Sequence, residues 1–171
     1  DLWWRHLVIA VKSCMQRSAA SGEEVQAIGI SYQMHGLVVV DKRLQPLRPS
    51  IIWCDSRAVP IGQKADGALG EEYCLRHLLN SPGNFTASKL RWIKENQPDL
   101  FEKIHKIMLP GDYIPMRLSG EIGTTDTGLS EGIFWDYQSQ SVSDKLLEHY
   151  GMSKAVLADL VPVFGIHTTV N

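Results

Sequence analysis

Short runs of β-branched residues alternate along this chain with longer stretches of helical period, and that alternation restricts the fold to an α/β arrangement with helices flanking a mixed sheet. Val25 to Ile30 reads as a strand buried on both faces, and it runs directly into Ser31-Tyr32-Gln33-Met34-His35-Gly36. Leu37 to Val40 reads as a second strand with its turn at Asp41 to Arg43. Ile51 to Cys54 reads as a third, leading to Asp55-Ser56-Arg57. In α/β sheets ligands gather beyond the carboxyl ends of strands, so polar clusters placed there are the first candidates for a site.

The helical stretches carry their own signals. Trp4, Leu7, Val8, Val11, Cys14 and Met15 recur at three- and four-residue steps and predict one buried face, with Ser21-Gly22 closing the helix. Between Ala58 and Leu79 the period is broken by Pro60, Gly62, Gly67 and Gly70, which predicts two short helices or a bent one. Thr86 is placed to cap a helix whose Leu90, Trp92 and Ile93 face the core, ending before Pro98. A short helix at Pro98 to Glu102, a strand at Ile104 to Leu109 and a helix at Asp112 to Leu118 follow. Asp126 is placed to cap a helix or turn, Ile133 to Trp135 reads as a strand, and Ser143 to Tyr150 reads as a helix closed by Gly151.

At 171 residues the chain suits one core, and we read residues 1–171 as a single partial domain. It opens on Asp1 in the middle of helical periodicity, and it stops at Thr168-Thr169-Val170-Asn171 without capping an element. Both ends predict a piece of a longer protein. Lysine and arginine total 17 against 19 acidic residues, with no basic stripe of the kind that phosphate-backbone binding needs, so nucleic acid is excluded as a partner. The apolar runs fall far short of the roughly 20 residues of a bilayer-spanning helix, and no secretory signal is visible. Three cysteines, Cys14, Cys54 and Cys74, predict buried free thiols in a reducing, cytoplasmic compartment. The six histidines stand at no ligand spacing, which predicts no structural metal.

The sequence contains no Walker pattern, dinucleotide fingerprint or Gly-x-Ser-x-Gly elbow, which argues against a nucleotide loop or a serine hydrolase within it. What it offers instead is Gln33, Met34 and His35 after one strand and Asp55 and Arg57 after another. Amide, imidazole, carboxylate and guanidinium suit a polyhydroxylated ligand, with Met34 as an apolar wall. The plainer alternatives are a structurally satisfied His35 and an Asp55–Arg57 turn or ion pair.

Four blocks carry a family resemblance: Gly29-Ile30-Ser31-Tyr32-Gln33-Met34-His35-Gly36, Leu47 to Arg57, Phe85 to Asn96, and Leu109-Pro110-Gly111-Asp112-Tyr113 with Leu118-Ser119-Gly120. In order and spacing they resemble the amino-terminal domain of the FGGY carbohydrate kinases, and within them the xylulokinases. The resemblance implies a ribonuclease-H-like, actin-like ATPase fold in two domains, with sugar and MgATP meeting between them. It implies that Met34 and His35 touch the ketose, that Asn84 is a further substrate contact, and that Lys89 is a structural ion pair or packed stem as readily as a phosphate ligand. It further implies that the parent protein phosphorylates D-xylulose to D-xylulose 5-phosphate, with ATP and Mg2+ held mainly by a carboxy-terminal ATP-binding domain and no catalytic residue within this chain. A homodimer is compatible with it. The alternatives are a kinase for ribulose, gluconate or glycerol, or a non-catalytic sugar-binding or interaction module of the same fold.

Overall fold

The computed structural model describes residues 2–170. The chain divides into two compact units, Asp1–Tyr32 and Gln33–Asn171.

The first unit is a helix, α1 (Leu2–Ser18), a single 3-10 turn at Gly22–Glu24, and an extended segment running on to Tyr32. α1 stops because Ala19 enters the left-handed region at φ 54°, two residues ahead of the expected Ser21-Gly22 break. The expected buried face is not found, since no residue of α1 is buried. Val25 to Ile30 also departs from expectation. It has the composition of a buried strand, yet among the described residues it belongs to no strand or bridge, and Val25 and Ile28 are exposed. β-branched composition supplies a preference that becomes a strand only when a neighbouring strand takes up the backbone hydrogen bonds.

The second unit holds the core. β1 (Val38–Val40) pairs antiparallel with β2 (Lys106–Met108), in the register Val38↔Met108, Val39↔Ile107 and Val40↔Lys106. Leu37 and Ile51 exchange both backbone hydrogen bonds, at 3.0 and 3.1 Å, and so extend this pairing by one rung. The expected strand at Ile51 to Cys54 is reduced to that rung, because Trp53 and Cys54 turn away into solvent. The turn after β1 is closed by the Asp41 carboxylate, which accepts from the backbone N–H groups of Arg43 at 2.8 Å and Gln45 at 3.0 Å.

The broken stretch after Ala58 is α2 (Val59–Leu69), one turn of helix as α3 (Glu71–Tyr73), and a π-turn at Cys74–Leu78. Gly70 separates them at φ 90°, a conformation that glycine adopts without a Cβ penalty. Next come α4 (Thr86–Asn96), α5 (Pro98–Phe101), β2 and α6 (Pro110–Ser119). The start of α6 is tied by Asp112, whose carboxylate accepts from the Leu109 N–H and from the Thr124 hydroxyl, both at 3.1 Å. Burial outweighs these bonds and pushes the Asp112 carboxyl up to about 6.

A second small sheet pairs β3 (Gly123–Thr124) with β6 (Asp159–Leu160) in parallel, and a third pairs β4 (Trp135–Asp136) with β5 (Ser141–Val142) antiparallel. Between them lie α7 (Asp126–Glu131) and α8 (Asp144–Tyr150). The pairing is therefore mixed and distributed over three two-stranded sheets. Ser143 caps α8 by accepting from the Leu146 N–H, and Gly151 ends it at φ 61°. Two caps differ from expectation. Thr125, not Asp126, caps α7 by accepting from the Gly128 N–H at 2.9 Å. Thr86 lies inside α4 and turns its hydroxyl to the Gly36 carbonyl, while Phe85 holds the cap position.

Leu37, Val39, Leu90, Ile93, Phe134 and Leu146 lie at the centre of the core, each at most 2% exposed. Only Cys74 of the three thiols is buried; Cys14 and Cys54 are exposed, contrary to the expectation of buried cysteines. Among the described residues no helix is long and apolar enough to cross a membrane.

Candidate functional site

Gly36 leads straight into the buried run Leu37–Val40, so the Met34-His35 pair sits where the chain enters the core. Met34 is 57% exposed and His35 is half-buried. His35 adopts φ 56°, a left-handed conformation uncommon for a residue with a side chain. Three hydrogen bonds hold it there. Its backbone N–H donates to Glu131 Oε1 at 2.6 Å, its Nδ1 lies 3.0 Å from the Glu131 carbonyl oxygen, and its own carbonyl accepts from Lys89 Nζ at 2.6 Å. The imidazole also packs edge-on against Phe85, with ring centroids 4.3 Å apart.

Asn84 enters through the same segment, just ahead of Phe85. Its Nδ2 donates to the Asp55 carbonyl at 2.8 Å and to the Trp53 carbonyl at 3.4 Å, which fixes the Trp53–Asp55 turn beside α4. Asn84 Oδ1 is buried without a partner, an expensive state for an acceptor. Trp53, read from sequence as a strand residue, is 59% exposed. An exposed indole beside a buried amide is a feature that no local pattern reveals.

Asp55 and Arg57 form the ion pair anticipated as their plainer reading, with Nη2 to Oδ2 at 2.7 Å and Nε within 3.0 Å of both carboxylate oxygens. The hydrogen bonds from Arg57 hold the Asp55 carboxyl below the usual carboxylate range. The Arg57 guanidinium stacks over Trp92 at 4.6 Å, with Arg48 at 5.7 Å from the same ring.

Lys89 sits on the buried side of α4, 0% exposed. Burial pulls its ammonium down to about 8 from the usual 10.5, against the opposing pull of Asp55. The unfolded chain therefore retains this proton up to about pH 10.5, while the folded chain loses it near pH 8. Between those values the unfolded state binds more protons, so stability rises with pH; below pH 8 the full cost of burying the charge is present. Relative to Lys89→Met, the unsubstituted protein is expected to gain about 3 kcal/mol as the pH is raised through that window. Urea denaturation of both proteins across the window checks this, and parallel stability curves would contradict it.

The structure thus brings Met34, His35, Asn84, Lys89 and the Asp55–Arg57 pair into one connected neighbourhood, and adds Trp53, Phe85 and Glu131. Glu131 lies 96 residues from His35 in sequence, so local spacing could not have nominated it. Met34 and Trp53 are exposed, whereas Lys89 and Asn84 Oδ1 are buried. The arrangement carries an apolar wall, ring nitrogens and an amide, and its polar groups are fixed by bonds to the backbone.

The whole chain, residues 1–171, matches the N-terminal domain of the FGGY family of carbohydrate kinases. A xylulose kinase of Streptomyces rubiginosus is 32% identical over 162 residues, covering 93% of this chain and 33% of that protein. A crystal structure described as a xyloylose kinase from Brucella ovis superposes with a TM-score of 0.84 at 28% identity, covering 93% of this chain and 33% of the other. The xylulose kinase of Rhodospirillum rubrum gives a TM-score of 0.77 at 26% identity, over 91% of this chain and 32% of the other. The chain spans about a third of the length of these relatives. Their likeness places the fold, mixed α/β with small sheets, among the actin-like ATPases. By a match that runs from its first residue to its last, the chain belongs to the FGGY family of carbohydrate kinases.

Proposed function

We propose that this chain is the sugar-binding segment of a cytoplasmic, ATP-dependent kinase that transfers the γ-phosphoryl group of ATP to the primary hydroxyl of D-xylulose. The observation that carries the reading is His35, a half-buried imidazole pinned in a left-handed backbone beside the exposed Met34. A residue held at a cost in backbone energy by three separate bonds is one whose direction matters. Met34 and the Trp53 indole supply apolar surface for the carbon faces of a sugar. His35 engages a hydroxyl, and Asn84, whose Nδ2 pins the Trp53–Asp55 turn, is the further substrate contact.

The remaining steps belong to the rest of the parent protein. Phosphoryl transfer would need MgATP to supply the phosphoryl group and neutralise its charge, and a base to take the proton of the attacking hydroxyl, with ADP as the leaving group. This segment binds and orients. Lys89 is spent on the His35 carbonyl, which supports a structural role for it over contact with phosphate.

The test is a panel of acceptors offered to the intact protein with MgATP, reading ADP release. D-Xylulose is expected to give the highest kcat/KM, ahead of ribulose, gluconate and glycerol. No sugar-dependent ADP release, or a preference for gluconate or glycerol, would overturn the reading.

A further inference from the structure

The hydrogen bonds around His35 fix more than its position. The Glu131 carbonyl oxygen can only accept, so at 3.0 Å from Nδ1 it requires the proton to sit on Nδ1. In the neutral ring that leaves Nε2 unprotonated, as an acceptor. Among the described residues none makes a hydrogen bond to Nε2, and the edge contact with Phe85 opposes rotation of the ring away from Glu131. The tautomer depends in turn on the backbone. Glu131 Oε1 accepts from the His35 N–H at 2.6 Å, and Lys89 Nζ donates to the His35 carbonyl at 2.6 Å. Glu131 therefore binds His35 twice, by side chain and by carbonyl, at the end of α7.

We propose that Glu131 and Lys89 are positioning residues that hold His35 in its left-handed conformation and in the Nδ1–H tautomer, so that Nε2 meets the sugar as the acceptor of a hydroxyl proton. The proposal rests on the sugar-site reading given above and adds a direction to it: the ligand group facing His35 is a hydrogen-bond donor. A ligand presenting a carbonyl or carboxylate oxygen at that point would face a lone pair and be disfavoured. No role of this kind could be read from the sequence, since Glu131 and Lys89 lie 96 and 54 residues from His35.

Two measurements on the intact protein test it. Nitrogen-15 spectra of the histidine rings, at a pH where the His35 ring is neutral, are expected to show Nδ1 protonated and Nε2 bare; the opposite tautomer overturns the proposal. In steady-state kinetics Glu131→Ala is expected to raise KM for D-xylulose about tenfold with a smaller change in kcat, because the His35 N–H loses its partner. Glu131→Gln keeps an acceptor oxygen and is expected to stay within about threefold of the unsubstituted protein. If Glu131→Ala fails to fold, the ring spectra and the glutamine variant decide. Should His35→Ala leave KM unchanged, the sugar site itself is misplaced. Should His35→Ala raise KM while Glu131→Ala does not, the positioning proposal alone fails.

Discussion

Replacing His35 by alanine in the intact protein is expected to raise the apparent KM for D-xylulose about ten- to a hundredfold, with a smaller fall in kcat. The imidazole is half-buried and its Nδ1 is already committed to the Glu131 carbonyl, so the ring acts on a ligand through Nε2 alone. Removing it deletes one oriented acceptor and leaves a sugar hydroxyl facing a shallow void. A loss of about 1–3 kcal/mol is usual for a partially desolvated group left without its partner, which corresponds to the stated range. The ring is half-buried and is not part of the buried core, and it packs edge-on against Phe85. The measurement is KM and kcat for D-xylulose, together with the urea midpoint of the variant. Unchanged sugar kinetics in a folded variant would remove His35 from the site.

The second large effect concerns the scaffold. Gly62 lies within α2, where a Cβ would come within 1.9 Å of the Gly83 carbonyl oxygen and 2.5 Å of its carbonyl carbon. Backbone stands on both sides of this contact, so a side chain cannot be absorbed by a change of rotamer. Gly62→Ala is expected to destabilise by about 2 kcal/mol or more, overpacking outweighing the roughly 1 kcal/mol that alanine gains over glycine in a helix. Gly67, in the same helix, faces open space. Gly67→Ala is therefore expected to stabilise by about 0.5–1 kcal/mol. Paired urea denaturation of the two variants checks the prediction, and equal behaviour would contradict it. Gly83 immediately precedes Asn84, so the strain from Gly62→Ala falls on the segment that carries Asn84 and Phe85 to the site.

Elements defined by their own residues were readable in advance. The helix over Asp144–Tyr150 is bracketed by Ser143 and Gly151, both doing at the backbone what their chemistry suggests. Leu90 and Ile93 are fully buried, as helical spacing required. Of the interruptions after Ala58 only Gly70 breaks the helix; Pro60, Gly62 and Gly67 are carried inside α2, and the π-turn begins at Cys74 without glycine or proline. Elements that depend on a distant partner were not readable. Val25 to Ile30 has strand composition but, among the described residues, no strand to pair with, and the apolar period of α1 does not produce a single buried residue. Trp53 resembled the interior of a strand and stands in solvent because pairing ends at Ile51.

The site divides along the same line. Met34 and His35 could be singled out because they follow a run of strand composition, which the structure leaves unpaired; the buried run comes after them, at Leu37–Val40, and the family resemblance supplied their meaning. The Asp55–Arg57 pair was anticipated from spacing of two. The groups that aim His35 come from α4 and α7, and only the folded chain brings them to it. Lys89 illustrates the difference: its sequence position suggested a packed stem or an ion pair, whereas the structure adds a specific acceptor, the His35 carbonyl.

The most direct measurement is a crystal structure of the intact protein with D-xylulose bound. His35 Nε2 is expected within hydrogen-bonding distance, about 2.7–3.2 Å, of a sugar hydroxyl, with Met34 in van der Waals contact with the ketose. Sugar density bound elsewhere, touching neither Met34 nor His35, would contradict the account.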